Sequence, residues 1–459
     1  MLSNFITYIQ QQELFRLSRD RILIAVSGGM DSVALVQLCK KAGVKFGIAH
    51  CNFQLRGKES DADAQFVQAL AQQLKVPFYQ VSFDTKKEAA LSKKSIQVAA
   101  RDLRYEWLEG LRKTNEYQYI AVGHHHNDSI ETLLINLTMG CGIRGLHGIL
   151  PKNGLLIRPL LFSTRADIEA YIQKKKFDYR EDSSNSSTKY TRNALRHLVV
   201  PQLQRINPNL EQTFEENFLR FRETEALYDY AIQQLKKETL AQKGKTLWID
   251  IAGVSNAPSP LSLLYEILQT YQFKPSKIQY IYNKRAEESG ALYTSKTHQL
   301  LRDRKHWIVS PISSDKDSKY TLDGFNNSNN ENNNNNTKGN ISIADLEFQW
   351  EILTQKLNLK TTSKTIYLDM DQLNFPLHLR HWKDGDIFYP LGMQGKKKKL
   401  SKFFKDIKMN RFDKDATWLL CDKNDKIVWV LGQRADERFK ILETTKRILK
   451  LKVELELEQ

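Results

Sequence analysis

The chain has four cysteines in 459 residues, and no two of them form a C-x-x-C pair. Cys39, Cys51, Cys141 and Cys421 are scattered, which argues against a zinc ribbon, an iron–sulfur cradle or a disulfide framework. A reducing, cytoplasmic setting is the expectation. No apolar run approaches the ~18 residues of a membrane helix, and residues 1 to 20 are interrupted by Glu13, Arg16, Arg19 and Asp20. Neither a membrane span nor a signal peptide is therefore expected. There is no internal repeat. Acidic residues are outnumbered 53 to 69 by Lys and Arg, leaving a formal charge of +16, which attracts polyanions and makes nucleic acid the leading partner. The chain is too long for one growing core, and its 41% hydrophobic residues suffice to fill two or three domains.

From Arg21 to about residue 160, short apolar runs alternate with amphipathic stretches: "RILIAVS", "SVALVQLCKKAG", "VKFGIAHCNF", "ESDADAQFVQALAQQL", "VPFYQVSF", a helix from Ser95 to Arg112, "YIAVGHH", and a helix from Asn127 to Leu137. Strands alternating with helices predict a doubly wound, mostly parallel sheet, whose ligands bind beyond the carboxyl ends of the strands. Long helical patterns follow Pro201, with strand-like pieces such as "HWIVSPI" after them, and a compact basic segment follows Phe375, ending in the strand-like "KIVWVLG" and "ILKLKVELEL". The fold class expected is α/β: an N-terminal parallel-sheet domain over 1–210, a mainly helical middle domain over 211–375, and a small α+β domain over 376–459. Residues 326–340, "NNSNNENNNNNTKGN", have almost nothing to bury and read as a disordered surface insertion.

"ILIAVSGGMDSVALV" sets a Gly-Gly turn between a strand and a helix, an arrangement suited to phosphate. It lacks the lysine of a Walker loop. Asp31 beside a phosphate cradle implies a bridging Mg²⁺, unless it only caps the helix. His50, Asn52 and Arg56 stand at the end of the second strand, within reach of a nucleotide. Arg101, Arg104 and Tyr105 share one helix face. Asp128 and Glu131, at i and i+3, suit a shared divalent cation. The three adjacent histidines 124 to 126 alternate faces and do not suit zinc. Asn193 and Arg196 suit RNA phosphate or substrate.

S-G-G-x-D-S resembles the PP-loop of the ATP pyrophosphatases, which adenylate a substrate and release pyrophosphate. The resemblance gives Ser27, Gly28, Gly29, Asp31 and Ser32 to the pyrophosphate portion of ATP. H-x-N-x-x-L-R-G-x-E-S-D-x-D, R-x-x-R-Y, H-H-x-x-D-x-x-E-T, "RPLL", D-x-S-N and R-N-x-x-R follow in order, then "KDGDIFYPLGMQGKKKKLSKFF" and "VWVLGQRADERF". Together these strings look like the tRNA(Ile)-lysidine synthase family, from Arg21 almost to the C-terminus. One departure is that Asn127 and Ser129 replace an aspartate and a glutamine common in that family, which concentrates the catalytic expectation on Asp128 and Glu131.

The resemblance implies ATP-dependent adenylation of the wobble cytidine of an isoleucine tRNA with a CAU anticodon, then attack by free L-lysine. It implies Mg²⁺ on Asp31 and Asp128, with Glu131 and Arg104 serving the lysine. It also implies that Arg101, Asn193, Arg196, Lys396, Lys397, Lys398, Lys399 and Lys402 contact tRNA; a homodimer is compatible with it. The rivals are a PP-loop tRNA thiolase, a glutamine-dependent amidotransferase, and an RNA-binding protein with a degenerate ATP fold.

Overall fold

The computed structural model describes residues 1–181, 191–312, 318–322, 338–343, 346–354 and 359–455. It falls into two compact units, Met1–Asp229 and Tyr230–Gln459. The expected D-x-S-N motif at 182–185 lies outside the described residues, as does the Asn-rich insertion up to 337. Residues 338–340 open a strand.

In the first unit the strands are β1 (Arg21–Ala25), β2 (Lys45–Asn52), β3 (Phe78–Ser82), β4 (Tyr119–Ala121), β5 (Lys152–Asn153) and β6 (Leu156–Ile157). They form one sheet in the order β3-β2-β1-β4-β6-β5, parallel except at β5. The helices are α1 (Leu2–Gln11), α2 (Met30–Lys41), α3 (Lys58–Leu74), α4 (Thr85–Ser92), α5 (Ile96–Thr114), α6 (His126–Met139) and α7 (Arg165–Lys175). Beyond α7, α8 (Thr191–Ala194) passes through a π turn (Leu195–Val199) into α9 (Val200–Ile206), and α10 (Leu210–Thr239) follows, its residues from Tyr230 on belonging to the second unit.

Ile22 and Ile24 pack with α1, α2, α3 and α7, whereas Leu23 packs with Leu108 and Tyr117 on the opposite face. This is why β1 reads as an unbroken apolar run: both faces of a central parallel strand are covered. Burying three consecutive side chains of this kind contributes ~1.5–3 kcal/mol each. The chain winds outward from β1 through β2 to β3, then returns to β4 on the other side of β1. The crevice beyond the ends of β1 and β4 is therefore the topological switch point, where such sheets bind ligands.

In the second unit β7 (Leu240–Lys243), β8 (Thr246–Asp250), β9 (Leu292–Thr294), β10 (His298–Asp303) and β11 (His306–Pro311) form an antiparallel sheet, ordered β7-β8-β11-β10-β9. Helices α11 (Ile251–Asn256), α12 (Pro260–Leu268) and α13 (Pro275–Asn283) complete this segment. The middle region thus adds a five-stranded sheet to its helices. Next come β12 (Lys319–Leu322), β13 (Lys338–Ile343), β14 (Leu346–Leu353), β15 (Thr365–Asp369), β16 (Leu377–His381), β17 (Ile387–Phe388) and β18 (Lys398–Lys399). Helices α14 (Leu400–Asp406) and α15 (Arg411–Ala416) precede β19 (Trp418–Cys421), β20 (Ile427–Val430), β21 (Arg434–Ala435) and β22 (Ile448–Leu455). Sheets β12-β16-β19-β20-β21 and β13-β14-β22-β15 share a core of Phe348, Leu379, Leu420, Trp429 and Leu451. No helix among the described residues is long and apolar enough to cross a membrane.

Candidate active site

The turn between β1 and α2 is shaped by Gly28, whose φ of +94° lies in a region that L side chains rarely adopt. Ser27 Oγ accepts the Gly29 N–H at 3.2 Å, and Ser32 Oγ donates to the Gly29 carbonyl at 2.8 Å, so the two serines brace the turn from inside. Asp31 lies in the first turn of α2, and Lys40 and Lys41 in its last, each favourably placed on the helix dipole. Gly123, beyond β4, lets a second loop close on this one: a Cβ there would lie 3.2 Å from the Asp31 carbonyl carbon and the Ser32 nitrogen. That loop delivers His124, His125 and α6, whose Asp128 carboxylate accepts the His125 N–H at 3.0 Å.

A cleft of ≈ 960 Å³ opens here, lined by Ser27, Gly29, Asp31, Ser32, Arg56, Arg104, Asp128, Asn193 and Arg196 of the expected residues. Its volume suits a nucleotide with part of a second substrate. His125 Nε2 stands 3.9 Å from Asp31 and 3.7 Å from Asp128, between the two carboxylates. Burial pushes the Asp31 carboxyl up, and neighbouring Asp128 adds to this against the pull of His125. Burial acts on Asp128 in the same sense but is outweighed by His125 and His124, which hold it low. Burial brings His124 down to about 4, a neutral ring at pH 7.

Asp31 Oδ1 is buried and makes no hydrogen bond with any of the described residues. A buried carboxylate oxygen with a neighbouring acid and no donor is costly, and a hard divalent cation is the group that oxygen ligands of this kind take. The residues fit Mg²⁺, with Asp31 the better donor because both Asp128 oxygens already accept hydrogen bonds.

Not every expected residue reaches the cleft. Glu131, 1% exposed, lies behind it and accepts two bonds from Arg196, at 2.6 Å from Nε and 3.0 Å from Nη2. Arg196 also reaches Asp128 at 3.2 Å. Burial alone would lower the Arg196 pKa, but its hydrogen bonding to Glu131 raises it instead. Arg196 stands in the π turn, a local widening frequent at functional sites. His50 Nδ1 is bonded to the Val26 carbonyl at 2.8 Å, and burial lowers its pKa. Asn52 is bonded to Asp61 and to the Gln54 N–H. Both are buried and brace the loops, through His50 Nδ1 and through both polar atoms of the Asn52 amide. On the exposed face of α5, Arg101 lies 5.4 Å over the Tyr105 ring and Arg104 lies 5.1 Å over Phe53.

The two unusual positions also face the protein. Asn127 Oδ1 accepts the Arg165 N–H at 2.9 Å, and Ser129 Oγ accepts the Ile149 N–H at 3.3 Å. In the second unit Lys398 is paired with Asp406 at 2.7 Å, whereas Lys396, Lys397, Lys399 and Lys402 are exposed.

Sequence reasoning passed over Asp63, Arg165, Arg180 and Arg192, all of which line the cleft. Arg192 opens the R-N-x-x-R string and was within reach. Arg180 follows no periodic pattern and had no signal.

Models of known families match the chain in three places: a PP-loop domain over residues 2–203, a TilS substrate binding domain over 242–312, and a TilS substrate C-terminal domain over 377–453. The tRNA(Ile)-lysidine synthase of Parabacteroides distasonis is 40% identical over 98% of this chain and 99% of its own length. That of Bacteroides thetaiotaomicron is 35% identical over 98% of both chains, and that of Porphyromonas gingivalis W83 is 36% identical over 95% and 94%. With the PP-loop turn at the switch point, the carboxylates that converge on it and likeness along nearly its whole length, the chain belongs to the tRNA(Ile)-lysidine synthase family.

Proposed function

We infer that this chain ligates lysine to carbon 2 of the wobble cytidine in a CAU-anticodon isoleucine tRNA. The observation that carries the reading is the cleft at the switch point, where a Gly-Gly turn meets Asp31, Asp128 and Arg196. In the first step the cytidine carbon 2 oxygen attacks the α-phosphorus of ATP and the bond to pyrophosphate breaks. In the second the lysine amine attacks carbon 2, and AMP leaves with the oxygen.

The turn and the α2 N-terminus receive the phosphates. Mg²⁺, held through Asp31 with Asp128 beside it, would neutralise charge on the departing pyrophosphate. Arg196 faces the charge that develops in both steps, and Glu131 acts through it, holding the guanidinium in one orientation by two bonds. Arg104 offers a cation for the lysine carboxylate. Arg101 and Asn193 extend the polar rim toward the tRNA, and exposed Lys396, Lys397, Lys399 and Lys402 supply phosphate contacts. Cys51, which lines the cleft, is pushed up to about 11 by burial, so the sulfur chemistry of a thiolase has no activated thiol there.

The test is transfer of labelled lysine to an isoleucine tRNA transcript with a CAU anticodon, in Mg²⁺ and ATP, against a UAU transcript. Lysine on the first only, with AMP and pyrophosphate released, is the expected result. AMP without lysine would retain the adenylation and refute the nucleophile.

A further inference from the structure

The Gly-Gly turn has no lysine, and its own acidic neighbour is Asp31, so the positive charge that a triphosphate needs must come from elsewhere in the fold. Two arginines stand where it is needed. Asp63, in the second turn of α3, is 7% exposed and has both oxygens engaged: Oδ2 accepts from Arg56 Nη2 at 2.8 Å and Oδ1 from Arg180 Nε at 2.9 Å. The main chain of Arg180 is tied to the turn itself, its N–H donating to the Gly28 carbonyl at 3.0 Å. Its Cγ lies 3.7 Å from where a Gly28 Cβ would be. All three side chains line the cleft beside Gly29.

We infer that Arg180, with Arg56, binds the polyphosphate of ATP, and that Asp63 is a positioning residue that aims both guanidiniums. This rests on the reading that ATP occupies the cleft. A guanidinium carries five N–H donors, and the bond to Asp63 uses only Nε of Arg180. Its two terminal nitrogens bond to none of the described residues. They are the pair that binds two oxygens of one phosphate in a bidentate fork. Two arginines on one carboxylate leave a net positive charge, and the carboxylate prevents their mutual repulsion from splaying them apart. The pairing spans 117 residues of sequence. The loop that carries Arg180 therefore joins the nucleotide site only in the folded chain.

The experiment uses the full-length protein, with lysine ligation followed as ATP, lysine and tRNA are varied in turn, and with Mg²⁺–ATP binding followed by calorimetry. Arg180→Ala is expected to raise KM for ATP ~10- to 100-fold, the scale of one charge-assisted bond, and to leave KM for lysine within about twofold. Arg180→Lys keeps the charge without the fork and is expected to recover part of the loss, which also serves if the alanine variant does not fold. Asp63→Asn is expected to raise KM for ATP at unchanged lysine KM. The inference is overturned by an unchanged KM for ATP in both Arg180 variants, by equal losses for ATP and lysine, or by tighter ATP binding in Asp63→Asn. Failure of the wild-type protein to bind ATP would instead overturn the reading beneath it.

Discussion

Replacing Asp31 by Asn should stabilise the ligand-free first unit while abolishing lysine ligation. The folded state holds the Asp31 carboxylate at a cost: Oδ1 is buried without a donor among the described residues, Asp128 repels it, and His125, at 3.9 Å, offsets only part of this. An uncompensated buried polar group costs ~1–3 kcal/mol. Asparagine removes the charge but keeps an oxygen in the same place, so about 1 kcal/mol should be recovered. For a unit of 229 residues that corresponds to ~2–4 °C in Tm. The sign with pH follows from linkage. The folded carboxyl retains its proton above the ordinary value of 3.8, so the folded state binds more protons than the unfolded state across that window. Wild-type stability therefore falls as pH rises through the window and stays lower above it, whereas the variant lacks this decline. The assay is thermal unfolding of both proteins across pH, with and without Mg²⁺–ATP, beside the ligation assay. Mg²⁺–ATP should raise the wild-type transition more than the variant's. A variant that melts below the wild type at neutral pH and gains equally from Mg²⁺–ATP would refute the reasoning that Asp31 is kept strained for a cation.

Glu131→Gln should leave tRNA retention in a gel-shift assay nearly unchanged and lower ligation at least ~100-fold, because Arg196 loses the ionised partner that orients it; a comparable drop in tRNA binding would contradict the assignment. Replacing Lys396, Lys397, Lys399 and Lys402 by Gln should flatten the dependence of tRNA affinity on salt by up to ~0.9 for each phosphate no longer neutralised, read by filter binding at several salt concentrations; an unchanged slope would remove these lysines from the interface. Gly123→Ala would place a Cβ 3.2 Å from the backbone of Asp31 and Ser32, so a stability loss of ~1–3 kcal/mol in urea unfolding and a larger proportional loss of ligation are expected; normal kinetics would show that the two loops tolerate separation.

Much of the first unit was legible because its signals are local. The apolar run ending at Ala25, the Gly-Gly turn and the helix that follows are neighbours in the chain, and strand–helix alternation leaves few ways to build a sheet. The chain position of Asp128 at the start of α6 was equally readable. The burial of His50 and Asn52 was not: their sequence neighbours suggest a ligand, but the Val26 carbonyl holds the His50 ring at Nδ1 and Asp61 holds the Asn52 amide. Glu131 shares a helix turn with Asp128 yet lies behind the cleft, since Arg196, 65 residues away, covers it. In the middle region "HWIVSPI" reads as a strand and is β11, whereas its shorter partners β7, β8 and β9 were outweighed by the long helical patterns around them.

The Gly-Gly turn, the order of the elements and the excess of positive charge can be read without a fold, because each depends on residue types and spacings that covalent connection preserves. Which side chains face the cleft and which brace it follows only from how distant segments pack. Arg56, Asp63 and Arg180 become one group, and Glu131 becomes the support of Arg196, only when distant segments pack together. That packing also gives both Asp128 oxygens donors while the described residues offer none to Asp31 Oδ1.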